Sequence, residues 1–376
     1  MKILMVGSYA PSITNFRAPL IADLQEAGHE VIATVPKLTD AEDSFTRDSA
    51  QKLSKLNLKV INIPLSRAGL SPLKDISYYL KLRHLMRQEK PDMVLSYTIK
   101  PNIWAALAAD WNKIPSIAMI TGLGYTFTNT NKVLKQRIVK HIAKKLYQVA
   151  TKKNQLVIFQ NPDDLHDFIN SGCLIDKSKA KLVNGSGVDT LHYRSTPLPD
   201  KPVFLMISRL LKAKGVQEYA EAAIKIKQEN PEIRFLLVGY TENSPDDIQA
   251  DQLAYWTDNG LEFLGPASDV RPAISSCTVY VLPSYREGTP RSVLEAMSMG
   301  RAIITTDAPG CRETTENNVN GFTVPVGDSN AVATAMRKFI SQPSLASTMG
   351  AASLERVKTK YDVRAVNKTL MGHIGA

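Results

Sequence analysis

The sequence predicts an α/β protein built from two doubly wound domains that face a central cleft. Three observations carry this expectation. A chain of 376 residues is about twice the length of an ordinary domain. Short apolar runs alternate with segments of helical periodicity along most of the chain, which is the pattern of a parallel sheet covered by helices. Midway, the polar stretch Arg194–Pro202 holds three prolines, and such a stretch disfavours both helices and central strands.

Lys2–Val6 reads as the first buried strand, because it is too short for the apolar region of a signal peptide. The helix after it carries Phe16, Leu20, Ile21 and Leu24 at helical spacing and stops at Gly28, a residue type that accepts a left-handed C-cap. Further strands are expected at Val31–Val35, Val60–Ile63, Met93–Ser96, Ile117–Ile120, Leu156–Phe159 and Lys181–Val183, with helices over Ile76–Gln88 and Ile99–Ala109. A second alternation places strands at Val203–Ile207, Phe235–Val238, Glu262–Leu264, Val279–Leu282, Ala302–Thr305 and Gly321–Val324. The expected division is a first domain over 1–193, a linker over 194–202 and a second domain over 203–356. Ligands of such open sheets bind beyond the carboxyl ends of the strands.

Composition narrows the class. Hydrophobic residues are 44% and charged residues 22%, so disordered, collagenous and coiled-coil classes are excluded. The three cysteines, Cys173, Cys277 and Cys311, form no C-x-x-C; neither a disulfide framework nor a thiolate zinc site is expected, and the usage is that of the cytoplasm. With no H-x-x-x-H pair and no D-x-D, no metal ligands are expected. No apolar run approaches the ~18 residues that span a bilayer.

The net charge is +10, and residues 1–190 hold 26 lysines and arginines against 16 acids while the remainder holds 20 of each. The basic excess therefore belongs to the first half. Between Trp111 and Pro162 there are nine basic residues and no acid. Val133, Leu134, Ile138, Ile142, Leu146 and Val149 recur there at helical spacing. The basic segment Lys132 to Lys153 thus reads as an amphipathic helix suited to an anionic membrane surface, or else as a core stripe with a solvated basic back. No nucleic-acid-reading motif accompanies the charge, so no nucleic acid is expected as partner.

The richest segment is Val279 to Gly300. A strand ends at Leu282, the turn Glu287-Gly288-Thr289-Pro290 follows, and a helix begins near Pro290. A helix start of this kind offers backbone N–H groups and positive potential to a phosphate or sugar hydroxyl. Glu295, inside that helix, suits the paired hydroxyls of a ribose, and Glu287 lies nearer a transferred group. The plainer readings are a solvated Glu295 and a Glu287 that merely caps the helix. At the end of the second domain's first strand, Arg209 and Lys214 are two cations able to meet one diphosphate.

Arg209 with Lys214, Glu287 to Pro290 with Glu295, Pro309-Gly310-Cys311-Arg312-Glu313, and Asn320-Gly321-Phe322 with Asp328 resemble the donor half of the family 4 glycosyltransferases. In the first half Gly7, Asn15-Phe16-Arg17, Gly28 to Val31 and Asn184 to Asp189 are similar to that family as well. Thr98 to Ile103 and Thr121-Gly122-Leu123-Gly124, with Lys100 where many members have histidine, resemble a bacterial polysaccharide and lipid-linked oligosaccharide subgroup.

The resemblance implies the GT-B fold of two Rossmann-like domains, with segment 357–376 crossing back to the first. It implies metal-independent, retaining transfer of a hexose or N-acetylhexosamine from a UDP-sugar to a polyprenyl diphosphate-linked saccharide, by a peripheral protein on the inner face of the plasma membrane. No cofactor is implied, the UDP-sugar being a substrate. Gly7, Arg209, Lys214, Glu287, Gly288, Thr289, Pro290 and Glu295 are then the donor-binding residues, with Glu287, Arg209 and Lys214 catalytic. Asn15, Arg17, Lys100, Thr121, Gly122 and Gly124 are acceptor-binding. Apart from the resemblance, Tyr125, Phe127 and Arg67 are taken as further acceptor contacts. A nucleotide-sugar 2-epimerase of the same fold and a non-catalytic sugar-nucleotide binding protein are the alternatives. Neither a dinucleotide fingerprint nor a P-loop is present.

Overall fold

The computed structural model describes residues 1–36, 51–66, 71–123, 134–241 and 244–376. It divides into two compact units, one of Met1–Ser186 with Val366–Ala376 and one of Gly187–Ala365. Each is a wholly parallel sheet between helices. In the first unit β1 (Lys2–Val6), β2 (Glu30–Val35), β3 (Lys59–Asn62), β4 (Met93–Tyr97), β5 (Ser116–Ile120), β6 (Leu156–Phe159) and β7 (Ala180–Leu182) lie in the order β3-β2-β1-β4-β5-β6-β7. In the second, β8 (Val203–Arg209), β9 (Arg234–Tyr240), β10 (Leu261–Phe263), β11 (Val279–Leu282), β12 (Ala302–Thr306) and β13 (Gly321–Val324) lie in the order β10-β9-β8-β11-β12-β13. Both sheets are doubly wound, and the expected strands agree with these to within one or two residues.

The central strands are buried on both faces, which is why they read as unbroken apolar runs rather than alternating ones. Ile3 to Val6, Phe204 to Met206 and Val279 to Leu282 are essentially inaccessible to water. The three cysteines are buried free thiols, and burial pushes Cys277 and Cys311 up to about 12.

Three expectations are corrected. The first helix is two helices, Ala10–Phe16 and Ala18–Glu26. Pro19 has no N–H to bond Asn15 and its ring would strike that carbonyl, so the chain breaks at Arg17; Phe16 is left exposed while Leu20, Ile21 and Leu24 are buried. Second, the division between units falls after Ser186, so the stretch 194–202 lies within the second unit. Gly187, at φ +68°, brings a Cβ position to 2.6 Å from Val363 Cα, and Val188 N donates to Tyr361 O at 2.9 Å. Residues 357–365 stay with the second unit, where Val357 and Tyr361 join the core. Only from Val366 does the C-terminal helix join the first, through Leu370 and Ile374 and the bond from Asn367 Nδ2 to Asp23 Oδ2 at 2.7 Å.

The third correction concerns the basic helix Leu134–Lys153. Its core face is Ala143, Tyr147 and Ala150, whereas Ile138, Ile142 and Val149 are exposed. Ala143 and Ala150 are small enough for the helix to pack along Ile99–Trp111, whose Ala105, Ala106 and Ala109 are likewise buried, while the Tyr147 ring fills the core against Phe168, with ring centroids 4.9 Å apart. Val133 lies outside the described residues.

Thr196 and Pro197 are held by one buried cation. Arg301 is fully buried. Its guanidinium donates to the carbonyls of Ile274 (3.0 Å), Thr196 (2.7 Å), Met299 (2.5 Å), Pro197 (3.2 Å) and Ser275 (3.1 Å), and to Thr196 Oγ1 at 2.7 Å. Burial lowers its pKa from the usual value. Replacing it by Met strands these carbonyls at ~1–3 kcal/mol for each that water cannot reach. Urea unfolding of Arg301→Met is therefore expected to show a stability loss of about 3 kcal/mol or more; an unchanged midpoint would refute the clamp.

Candidate active site

In the second unit the strand order reverses between β8 and β11, which is where a doubly wound sheet opens a crevice at its carboxyl edge. β8 ends at Arg209, which is half-buried, and a turn of 3-10 helix at Lys212–Lys214 follows. β11 ends at Leu282 and runs into the loop 283–290. That loop is fixed from several sides. Tyr285 N and Ser284 Oγ donate to Ala213 O at 3.0 and 3.2 Å, Thr305 Oγ1 donates to Leu282 O at 2.8 Å, and Thr306 Oγ1 donates to Ser284 O. Glu287 N donates to Pro309 O at 2.9 Å, and Tyr285 Oη donates to Glu218 Oε1 at 2.7 Å.

Two glycines let the backbones come this close. Gly215, at φ +75°, would place a Cβ 2.1 Å from Pro283 O, and Gly310, at φ +80°, would place one 2.1 Å from Glu287 O. Both the dihedral and the space exclude a side chain. The outcome is a direct ion pair, Lys214 Nζ to Glu287 Oε1 at 2.6 Å, with both side chains largely buried. Glu287 therefore does not cap the following helix, whose N-cap is Pro290 with no side-chain cap bond. Gly288 and Pro290 are buried and Thr289 is half-buried, with Thr289 Oγ1 donating to Gly288 O at 2.9 Å.

Glu295 lies one turn into helix Arg291–Ser298. It is not solvated: it is buried and accepts from Arg291 Nε at 2.8 Å. Tyr193 stands close to both, and burial, then the Glu295 charge, hold its phenol well above its usual pKa. The motif residues Asn320, Gly321 and Asp328 are scaffolding. Gly321 leaves only 1.9 Å between a Cβ position and Ile303 O, Asn320 Oδ1 accepts from Glu316 N at 2.7 Å, and Asp328 caps helix Ser329–Ser341 by accepting from Ala331 N at 2.9 Å.

The first unit's order reverses between β1 and β4. Gly7 follows β1, and Tyr97 Oη stands 2.5 Å from where its Cβ would be; in this unit its lack of a side chain admits a tyrosine. Burial pushes Tyr97 up to about 12, with Arg17 acting the other way. Arg17 is buried with its Cζ 5.2 Å from the Tyr97 ring centroid, whereas Asn15 is exposed. Thr98 begins the helix Ile99–Trp111 at φ +72°, a costly conformation for a β-branched residue and a marker of functional positions; its Oγ1 donates to Ser8 Oγ at 2.9 Å. Lys100 is largely buried and pairs with buried Asp75 at 2.8 Å. Thr121 and Gly122, the latter at φ +127°, follow β5. Gly124, Tyr125, Phe127 and Arg67 lie outside the described residues.

Sequence reasoning missed Arg291, Asp75 and Tyr193, and it read Thr98 only as part of the segment Thr98–Ile103. Arg291 stands four residues before Glu295, which is a readable pair on a helix. The others had no local signal. Among the described residues no group of three or more histidine, cysteine, aspartate or glutamate side chains is placed to hold a metal ion.

Residues 201–342 match the family described as glycosyl transferases group 1, and residues 12–161 match the glycosyl transferase 4-like family. The chain is 31% identical over 337 residues, 86% of its length and 85% of the relative's, to the N,N'-diacetylbacillosaminyl-diphospho-undecaprenol alpha-1,3-N-acetylgalactosaminyltransferase of Campylobacter jejuni. It belongs to the group 1 glycosyltransferases. This glycosyltransferase is also 26% identical, over 85% of its length and 84% of the relative's, to the UDP-Gal:alpha-D-GlcNAc-diphosphoundecaprenol alpha-1,3-galactosyltransferase of Escherichia coli. Its fold is shared with Anabaena HepE in complex with UDP, at a TM-score of 0.79 and 18% identity over the whole of both chains. The sucrose-phosphate synthase of Thermosynechococcus elongatus shares it too, at a TM-score of 0.78 and 17% identity over 100% of this chain and 98% of that one. The glycosyltransferase therefore has the GT-B fold of two Rossmann-like domains.

The close approach at Gly310 yields a prediction. Gly310→Ala must displace the Glu287 loop, and misplacement of a catalytic group by ~1 Å costs about 100-fold. Nucleotide release by Gly310→Ala is expected to fall by about that factor while its circular dichroism stays that of the parent; a parental rate would show that another contact sets the loop.

Proposed function

We propose that this glycosyltransferase moves a hexose or N-acetylhexosamine from a UDP-sugar to a polyprenyl diphosphate-linked saccharide, with retention of configuration and without a metal ion. The observation that carries the reading is the Lys214–Glu287 pair of 2.6 Å at the switch point of the second sheet, with Arg209 at the end of the adjoining strand and buried Glu295 one helical turn away. That set offers two cations to a diphosphate, a carboxylate to a ribose and a second carboxylate to the donor sugar. The Campylobacter and Escherichia relatives, whose names specify diphospho-undecaprenol acceptors, support the acceptor class.

In this reading the diphosphate draws Lys214 from Glu287, and Glu287, with the Gly288 to Pro290 backbone, receives the sugar hydroxyls. The bond from the anomeric carbon to the diphosphate oxygen breaks as the acceptor oxygen attacks the same face. The acceptor proton passes to the departing diphosphate. Arg209 and Lys214 stabilise the charge that develops there, and their fixed positions supply the stabilisation without reorganisation. The first unit presents the acceptor near Arg17, Lys100, Thr121 and Gly122, with Asn15 at the rim.

We also place the protein peripherally on the inner face of the plasma membrane. No helix of the described residues is long and apolar enough to cross a membrane. Helix Leu134–Lys153 instead turns Ile138, Ile142 and Val149 outward beside Arg137, Lys145 and Lys152, an arrangement suited to an anionic interface.

The test is nucleotide release from a panel of UDP- and GDP-sugars, with and without polyprenyl diphosphate saccharides extracted from membranes. Release from one UDP-sugar that requires the extract and drops by two orders of magnitude or more in Glu287→Ala and Lys214→Ala is expected. Tight donor binding with no release in any combination would leave a binding protein, and conversion of the donor alone would make it an epimerase.

A further inference from the structure

The helices Pro72–Glu89, Ile99–Trp111 and Leu134–Lys153 connect β3 to β4, β4 to β5 and β5 to β6. Such right-handed crossovers running one way along a parallel sheet lie on the same face of it. Neighbours pack along one another, so their outer sides form one layer. The outer side of Leu134–Lys153 is the apolar and basic stripe described above. Helix Pro72–Glu89 bears a second one.

Its inward side is occupied by Tyr78, Leu82, Leu85 and Met86, all buried. Outward, Leu73 is 85% exposed, Ile76 50% and Leu80 48%, spaced as one helical stripe. Trp111, 63% exposed, continues it, with the Arg83 guanidinium 4.5 Å from its ring centroid. Single exposed apolar residues are ordinary, but a contiguous set rimmed by polar ones marks a contact site. The rim here is cationic. Lys74, Lys81 and Arg87 are exposed, while the acids nearby are neutralised: Asp75 by Lys100, Glu89 by Lys2 and Lys59, and Asp110 by Lys153.

Charge selects the occupant. A second copy would set cations against cations, whereas an anionic bilayer accepts leucine and isoleucine at the acyl boundary, tryptophan at the headgroups and lysine or arginine beside lipid phosphates. We propose that Leu73, Ile76, Leu80 and Trp111 form a second lipid-seating edge, so that the first unit docks on an anionic bilayer through two parallel helices rather than one. This rests on the membrane reading given above and adds a separate set of residues to it.

Co-sedimentation of the full chain with phosphatidylglycerol-rich and with pure phosphatidylcholine vesicles tests it, using Leu73→Gln/Ile76→Gln/Leu80→Gln beside Ile138→Gln/Ile142→Gln/Val149→Gln. All six positions are exposed, so folding should survive, and a parental circular dichroism spectrum and thermal unfolding midpoint check that it has. Each triple variant is expected to lose about tenfold or more in partitioning to the anionic vesicles. Tryptophan emission is expected to shift to the blue on those vesicles in the parent and not in Trp111→Phe. If the first triple variant binds like the parent while the second does not, the second edge is refuted and docking by the basic helix stands. If the parent binds neither vesicle, the membrane reading itself fails. A parent that is dimeric and becomes monomeric in the first triple variant would make the patch a protein interface, which also overturns the proposal.

Discussion

The structure turns on one ion pair and on the two glycines that allow it. Lys214 and Glu287 are 73 residues apart, and each sits on a short turn after a strand. They meet because Gly215 lies against Pro283 O and Gly310 lies against Glu287 O, both at distances closed to any Cβ. Neither contact is polar or strongly attractive. Each is an absence of bulk that lets neighbouring connections touch, and the surrounding hydrogen bonds to Ala213, Ser284 and Pro309 then hold the geometry. Pro309-Gly310 thus serves as the bed on which the Glu287 turn lies.

A lysine and a carboxylate largely withdrawn from water attract strongly, but both have lost hydration, so such a pair is a poor source of stability. In the proposed function it serves as a switch between partners: a diphosphate would offer Lys214 more negative charge than one carboxylate does, and a sugar would offer Glu287 hydroxyl donors in exchange for an ammonium. Arg291 and Glu295 repeat the arrangement one helical turn away. Glu287 and Glu295 thus each hold an internal cationic partner.

The sheets were legible because central parallel strands must be apolar throughout, and runs such as Val279–Leu282 and Leu156–Phe159 have no other reading beside their turns. Lys214 and Glu287 were singled out as members of one site through the family resemblance, whereas their direct pairing was not. What lay beyond local pattern was long-range. The break after Ser186 depends on Val188 meeting Tyr361 and Val363, a contact no window of sequence contains. The basic helix has two apolar faces, and the one made of Ala143, Tyr147 and Ala150 went inward because its alanines meet Ile99–Trp111 and its tyrosine meets Phe168, a partner from a separate connection. Asp75 as partner of Lys100, and the left-handed backbone of Thr98, depend on the meeting of separate connections. The exception is Pro19, whose effect on the first helix follows from elementary geometry and was open to sequence reasoning.

The central claim is that Glu287 and the donor's diphosphate compete for Lys214. Calorimetric titration of UDP into the parent protein, Glu287→Gln and Lys214→Met tests it most directly, because UDP supplies the diphosphate without the sugar. The account predicts that Glu287→Gln binds UDP at least as tightly as the parent, while Lys214→Met binds it about tenfold or more weakly. Equal loss of affinity in both variants would contradict it, since Glu287 would then be part of what holds the diphosphate rather than its rival.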